Sequence, residues 1–421
     1  MAAQTPNQES SRSSRRATHI LFVGAGAVGC FYASRLHHPS HDVYVSLTAR
    51  SNYAAIASSG VALKTRTFGD YTFHPHAVFP SVAAATPLTT TEKQEDGSFS
   101  TSSSSPDVTA AAATADKQQN QKSRPPVEGW DYIIVTTKAL PDVTDDAALI
   151  APLVTSPHTC IVLIQNGVGV EAPYRERFPR NPIVSAVTVV SAEQVSQGVI
   201  RQNRWTRISL GPYGSFGMSK GKNKTAESEP YDVVRRGTES MCQLAKWWGE
   251  GLGGIRDVET HTEQELQTIR WHKLCINAAF NPTAVLSGGR GNADQLTDPE
   301  LRRHIRGVMD EIWDATPKVL GLGGGGSGSG SGSGGFFPSS LATPERIMAS
   351  NERNGGAKPS MLLDWEAGRP MELEVILGNP VRIAREAGVE MPKLQTLYAL
   401  LRSMQKTRDE AKARGKEKGK L

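Results

Sequence analysis

The apolar positions of this chain keep one period in its first part and another in its second. Residues 19–23, 42–47, 130–137 and 159–164 are short runs, nearly continuous in Val, Ile, Leu and Phe. Such runs read as strands buried on both faces. Residues 26–36 and 140–150 suit helices between them. Residues 61–67 and 71–78 predict strands or a hairpin, and 183–191 and 199–210 two more strands. A helix over 239–248 and an edge strand over 254–258 follow. From Thr262 onward the period is helical, over 263–279, 299–320, 343–350, 371–387 and 394–406. Strands alternating with helices predict a doubly wound parallel sheet, so the fold class is α/β with a mostly α-helical second part.

Other stretches carry neither period. Residues 1–18 are rich in Ser and Arg, 86–126 in Ser, Thr, Ala, Gln and Pro, and 323–335 almost purely Gly and Ser. Such segments bury too little apolar surface to order themselves. Residues 219–229 are polar and read as a loop. The expected organisation is a tail at 1–18, a cofactor-binding domain at 19–261 with an insertion at 86–126, a helical substrate domain at 262–406 with a flexible linker at 323–335, and a basic tail at 407–421. No internal repeat is present.

Composition narrows the functional classes. The chain has 421 residues, enough for two cores. Its formal charge of +5 is an effect of the ends, because the first 18 residues and the segment from Lys406 onward are basic while the body between them is close to neutral. A nucleic-acid surface is therefore not expected. Cys30, Cys160, Cys242 and Cys275 are scattered, which argues against a disulfide framework or a metal site and fits a reducing compartment. No apolar run reaches the length of a membrane span, and the N-terminus has no apolar core of a secretory signal. A cytoplasmic location is expected. The acid-poor start weakly resembles a mitochondrial presequence, so that compartment stays open.

Gly24-Ala25-Gly26-Ala27-Val28-Gly29 matches GxGxxG between a predicted strand and a predicted helix. There the first glycine makes the tight turn, the second admits a pyrophosphate to the backbone, and the third packs helix on strand. The helix N-terminus adds free N–H groups and a positive dipole end. This is the signature of a Rossmann-type dinucleotide site. A site for NAD has an acidic residue about 20 positions on, yet no Asp or Glu occurs from Val43 through Gly69. Arg50 stands there instead, and a guanidinium pairs well with a phosphate. The cofactor expected is NADP(H).

Lys273, Asn277 and Asn281 are spaced four apart before Pro282, where the helix is expected to stop. Residues i and i+4 share a helix face. By itself a solvated face explains such a stripe as well as a site does. Two further runs end strands on the sheet's carboxyl edge, where doubly wound folds bind ligands: Thr136-Thr137-Lys138 and Gln165-Asn166-Gly167. Later come Ser360-Met-Leu-Leu-Asp364 and Pro370-Met-Glu372-Leu-Glu374.

Together these motifs resemble the ketopantoate reductase (2-dehydropantoate 2-reductase) family, in a fungal-type member, over residues 19–80, 128–320 and 340–406. The resemblance implies NADPH-dependent reduction of 2-dehydropantoate to (R)-pantoate, a step of pantothenate and coenzyme A biosynthesis. It implies Lys273 as general acid, Asn277 and Asn281 as substrate-holding amides, and Ser360 as a ligand of the substrate carboxylate. Lys138 and Asn166 would lie at the nicotinamide, Asn166 also touching substrate. Glu372 would contact the cofactor ribose, with Glu374 its rival, and Asn292 matches another substrate-binding asparagine in a loop of different length. The insertions at 86–126 and 323–335 depart from the family pattern and leave open a reductase of another 2-oxo acid or ketone, as in secondary metabolism; a second alternative is a non-catalytic NADP(H) sensor that kept the glycine loop, against which the lysine and amides are all present. The partner expected is a small 2-oxo acid; oligomeric state is left open, a homodimer being one option.

Overall fold

In the computed structural model, residues 16–87, 124–214, 229–322, 337–353 and 355–418 are described. The first part is built on a ten-stranded sheet. Strand β1 (Thr18–Val23) is central and pairs in parallel with β2 (Val43–Thr48) on one side and β6 (Tyr132–Val135) on the other. The parallel run continues through β7 (Cys160–Leu163) to β8 (Ile183–Ser196), and through β2 to the short β5 (Val78–Phe79). The strand alternation explains the continuous apolar runs. Ile20 and Phe22 join one core, with helix α1 (Ala27–Ser34), while Leu21 and Val23 join another on the opposite face. Both faces are covered, so both must be apolar.

The sheet departs from pure parallel pairing at β9 (Val199–Pro212), which runs antiparallel to β8 as a long ribbon. The predicted hairpin exists as β3 (Val61–Thr65) and β4 (Gly69–Phe73), but it pairs with β9 at the far end of the sheet, and does not follow β2 there. The last strand, β10 (Val258–Thr260), pairs β9 and begins where the predicted edge strand ends. Helix α2 is Tyr53–Ser59. Helix α3 (Asp146–Ile150) is shorter than the 140–150 expected, because the Asp145 carboxylate caps it by accepting from the Ala148 N–H. Helices α4 (Ala172–Arg177) and α5 (Glu229–Trp248) complete this part, α5 extending ten residues further toward the N-terminus than predicted.

The second part is helical around its own core. Its spine is α6 (Glu263–Leu286), opened by a capping box in which Thr262 and Glu265 bond each other's backbone N–H. Leu274, Cys275, Ala278 and Phe280 are buried, as the pattern required. The helix does not stop at Pro282. Proline removes one backbone donor, but Thr283, Ala284 and Val285 beyond it are buried, and the Thr283 hydroxyl donates to the Ala279 carbonyl at 2.7 Å. Packing outweighs the lost bond.

Around α6 lie α7 (Asn292–Gln295), α8 (Pro299–Val319), α9 (Pro344–Glu352) and α10 (Ser360–Glu366). The helix predicted over 371–387 is a π-helical turn, Glu374–Gly378, followed by α11 (Asn379–Glu386). The final helix α12 (Pro392–Lys418) continues through most of the stretch read as a basic tail. Arg408 stacks over the Trp365 ring and donates to the Arg369 carbonyl at 3.0 Å, and Lys412 donates to the Gly368 carbonyl at 2.5 Å. The basic residues thus hold that helix down. The tail at 1–15, the bulk of the insertion at 88–123, residues 215–228 and the Gly/Ser linker fall outside the described residues, and with them the polar loop read at 219–229 except Glu229, which begins α5. Among the described residues no helix is long and apolar enough to cross a membrane.

Candidate active site

Because β1, β6 and β7 are parallel and in register, Gly24, Thr136 and Ile164 leave the sheet at one edge. Gly24 turns the chain there with φ 112°, a conformation open mainly to glycine. The Thr136 hydroxyl donates to the Gly24 carbonyl at 2.7 Å, and the Asn52 amide to the Ala25 carbonyl at 2.9 Å. A Cβ on Gly29 would lie 2.4 Å from the Gly24 carbonyl oxygen and 2.5 Å from the Thr136 hydroxyl, so that position is closed to any side chain. A Cβ on Gly26 would meet nothing within 4 Å. The second glycine therefore leaves open space at the start of α1, where no side chain caps the helix and no acidic residue sits in the first turn. Ala27 and Val28 continue the loop into α1. Arg50 is exposed just past the end of β2, its charge near Asp146 of α3. These features fit a dinucleotide: an uncapped N-terminus for the pyrophosphate and a cation for a further phosphate.

A second constellation forms where the turn after β7 meets the helical part. The Lys273 ammonium donates to the Asn166 side-chain oxygen at 2.8 Å. The Asn166 amide nitrogen donates to the Glu372 carboxylate at 3.3 Å, whose other oxygen accepts from the Ala139 N–H at 3.2 Å. Lys138 pairs with Asp364, which Arg369 also contacts at 3.0 Å. Lys273, Asn166 and Glu372, far apart in the chain, are thus linked by side-chain bonds, and Lys138, Asp364 and Arg369 form a second linked set. Gly167 makes the approach feasible: its φ is +84°, and a Cβ there would fall 2.3 Å from the Val375 carbonyl oxygen in the π-turn. The Val168 N–H donates to that same carbonyl at 2.9 Å, and Asn379 returns a bond to the Val168 carbonyl.

Lys273 and Asn277 line a narrow cleft together with Gln165, Asn166, Gly167, Val187, Arg270 and Leu274. Burial, and next the charge of Arg270, lower the Lys273 pKa to about 8, with Glu372 acting in the opposite direction. Burial raises the Glu372 carboxyl, against the bond from Asn166 and the charge of Lys138. Burial disfavours charge on both groups.

The remaining predicted residues are less converged. Asn281 lies a turn beyond Asn277 and is buried at 5% exposure. Ser360 is exposed at the first turn of α10. Asn292, the first residue of α7, is turned to Asn351 of α9, to which it donates at 2.8 Å, a contact between two helices. Glu374 faces away from Asn166, bonding Tyr398 at 2.5 Å and Arg382 at 2.6 Å, which leaves Glu372 as the carboxylate of the junction. The reading from sequence overlooked Arg270 and gave Asp364 no role beyond closing the Ser360 run. Arg270 could have been noticed as a charge three positions before Lys273, between the apolar residues Ile269 and Trp271.

The family model described as ketopantoate reductase PanE/ApbA matches residues 20–215, and the model of its C-terminal part matches residues 265–405. The chain belongs to the ketopantoate reductase family. Members of this family are NAD(P)H-dependent oxidoreductases with a Rossmann-like fold. A 2-dehydropantoate 2-reductase of Nostoc sp. is 22% identical over 382 residues, covering 90% of this chain and 93% of that protein. A protein of Schizosaccharomyces pombe named meiotically up-regulated gene 72 protein is 25% identical over 383 residues; the chain spans 55% of its length. Among solved structures, 2-dehydropantoate 2-reductase from Methylococcus capsulatus superposes with a TM-score of 0.64 at 28% identity, over 93% of this chain and 97% of the other. The ketopantoate reductase fold thus accounts for both parts of the molecule.

Proposed function

We propose that this protein reduces 2-dehydropantoate to (R)-pantoate with NADPH, and that its two parts are a cofactor domain and a substrate domain with the reaction between them. One observation carries the reading: a half-buried lysine of lowered pKa, hydrogen-bonded to Asn166, in a cleft beside the sheet edge that bears the glycine loop. The glycine loop from Gly24 to Gly29 would hold the pyrophosphate and Arg50 the 2′-phosphate, while Lys138, Asn166 and Glu372 would face the nicotinamide ribose. The nicotinamide, when bound, supplies the hydride.

The protein's own residues then handle charge and proton. As the ketone carbon becomes tetrahedral, its oxygen gains negative charge, which the Lys273 ammonium stabilises before giving up its proton. Asn277 supplies neutral donors within the cleft, and Asn281 and Ser360, on the same helical part, would add theirs to a substrate bound between the two parts. Asn166 holds Lys273 in place from one side while Glu372 fixes Asn166 from the other. The low pKa makes the lysine a better acid near neutrality than an ordinary one.

The test is loss of NADPH absorbance with 2-dehydropantoate beside a panel of other 2-oxo acids. The account expects 2-dehydropantoate to give the highest kcat/KM. Faster turnover of another 2-oxo acid would reassign the substrate, and no turnover with cofactor still bound would favour a sensor.

A further inference from the structure

Arg270 precedes Lys273 by one turn of α6, and its side chain is only 2% exposed. One terminal nitrogen donates to the carbonyls of Gln165 and Gly167, each at 2.9 Å. Those carbonyls flank Asn166. The other terminal nitrogen donates to the Ser185 hydroxyl at 2.5 Å and the Ala186 carbonyl at 3.1 Å, just before the cleft residue Val187 on β8. Nε lies 3.0 Å from the Glu171 carboxylate, which also accepts from Ser185 at 2.7 Å and from Gln267 at 3.0 Å.

We propose that Arg270 is a positioning residue for the reaction: its guanidinium pins the Asn166 turn and strand β8 to α6, so that the Lys273 ammonium and the Asn166 amide meet in the cleft. The inference rests on the reading of Lys273 as proton donor. A buried cation is costly unless paired and bonded, and here a partner is provided by Glu171 and four acceptors by the two cleft walls. The fork matters as much as the charge. Guanidinium nitrogens diverge in a fixed plane and reach both walls at once, whereas an ammonium offers its donors from one point.

The charge acts on the same neighbour. Lys273 is faced by Arg270 on its own helix, by Gln165 and Asn166 on the turn, and by apolar Val187 on β8. Glu372 stands behind Asn166, with the Lys138–Asp364 pair further out, and Glu171 lies behind Arg270. Arg270 opposes a second positive charge at Lys273, while Glu372 favours it. Glu171, itself only 1% exposed, pairs with Arg270 through Nε, which is not the nitrogen that bonds the turn.

Two variants of the full chain separate fork from charge. Arg270→Lys keeps the charge and loses the fork. The paired substitution Glu171→Gln with Arg270→Gln removes both charges together, so that neither is left buried alone. Each is measured for NADPH affinity, for kcat, and for the pH dependence of Lys273 acylation by an amine-directed reagent, read by mass spectrometry without substrate. Arg270→Lys should lower kcat roughly 10- to 100-fold while the pH of half-maximal Lys273 labelling stays put. The paired variant should move that pH upward by about half a unit or more, with NADPH affinity held within roughly threefold. Unchanged kcat in Arg270→Lys, or unchanged labelling in the paired variant, overturns the proposal. The labelling needs no substrate, so an upward shift supports the role of Arg270 even if another ketoacid proves to be the substrate.

Discussion

The two halves of the proposed ligand site are built in opposite ways. The glycine loop is six consecutive residues whose chemistry is mostly backbone, fixed from beneath by the Thr136 hydroxyl and the Asn52 amide. The junction at Lys273 takes side chains from four segments, and Asn166, Lys273 and Glu372 meet only because β7, α6 and the stretch before the π-turn pack together. A contiguous backbone site survives most changes outside itself. A convergent side-chain site depends on every contact that sets the approach of its segments, such as the Arg270 fork and the side-chain-free Gly167. Cofactor binding and proton delivery should therefore fail separately.

The largest separation is expected from Lys273→Ala, which should cut kcat by about 10²–10⁴-fold while NADPH titration gives a near-normal Kd. Loss of both together would mean that the two halves are not independent. Within the glycine loop, Gly29→Val places atoms where the Gly24 carbonyl and Thr136 already sit. It should cost about 1–3 kcal/mol of stability, seen as a lower Tm, and abolish measurable NADPH binding. Gly26→Ala has open space and ordinary φ; its Tm should match the parent and only its NADPH affinity fall, on the order of tenfold. Similar thermal losses in both variants would break the distinction drawn between the two glycines.

Smaller effects sharpen the same contrast. Arg50→Asp should reduce the preference for NADPH over NADH roughly 10- to 100-fold, measured as the ratio of kcat/KM for the two cofactors. An unaltered ratio would remove Arg50 from the site. Asn292→Ala should be the mildest. Its side chain is engaged with Asn351, so kcat should stay within about twofold and stability should drop by no more than about 1 kcal/mol. A large fall in kcat would return Asn292 to the substrate site.

The same division governs what could be read from the sequence. Buried strands and the glycine loop are local patterns, and they stand where the apolar period puts them. The far placement of the β3–β4 hairpin depends on β9, more than 130 residues away along the chain, and no local signal carries that pairing. Helix ends were misread wherever tertiary contacts overrule propensity: α6 passes Pro282 because the residues beyond it are buried, and α12 runs to Lys418 because Arg408 and Lys412 dock on residues 365–369. Lys273 stood out by its four-residue spacing to Asn277 and Asn281, whereas the role expected of it, and those of Asn166 and Glu372, came from resemblance to a family. Arg270 escaped, and Asp364 was seen only as the end of the Ser360 run, because a charge in an apolar context looks like any exposed helix charge until its partner is known.

Proton delivery turns on a lysine that is desolvated and easily deprotonated. Reduction requires the ammonium form, so activity should be level below the Lys273 pKa and fall above it. With that pKa lowered to about 8 by burial and Arg270, kcat/KM for NADPH-driven reduction of 2-dehydropantoate should begin to drop near that pH. It should then decline about tenfold per further pH unit. A profile that stays level to the ordinary lysine range, around pH 10, would contradict it.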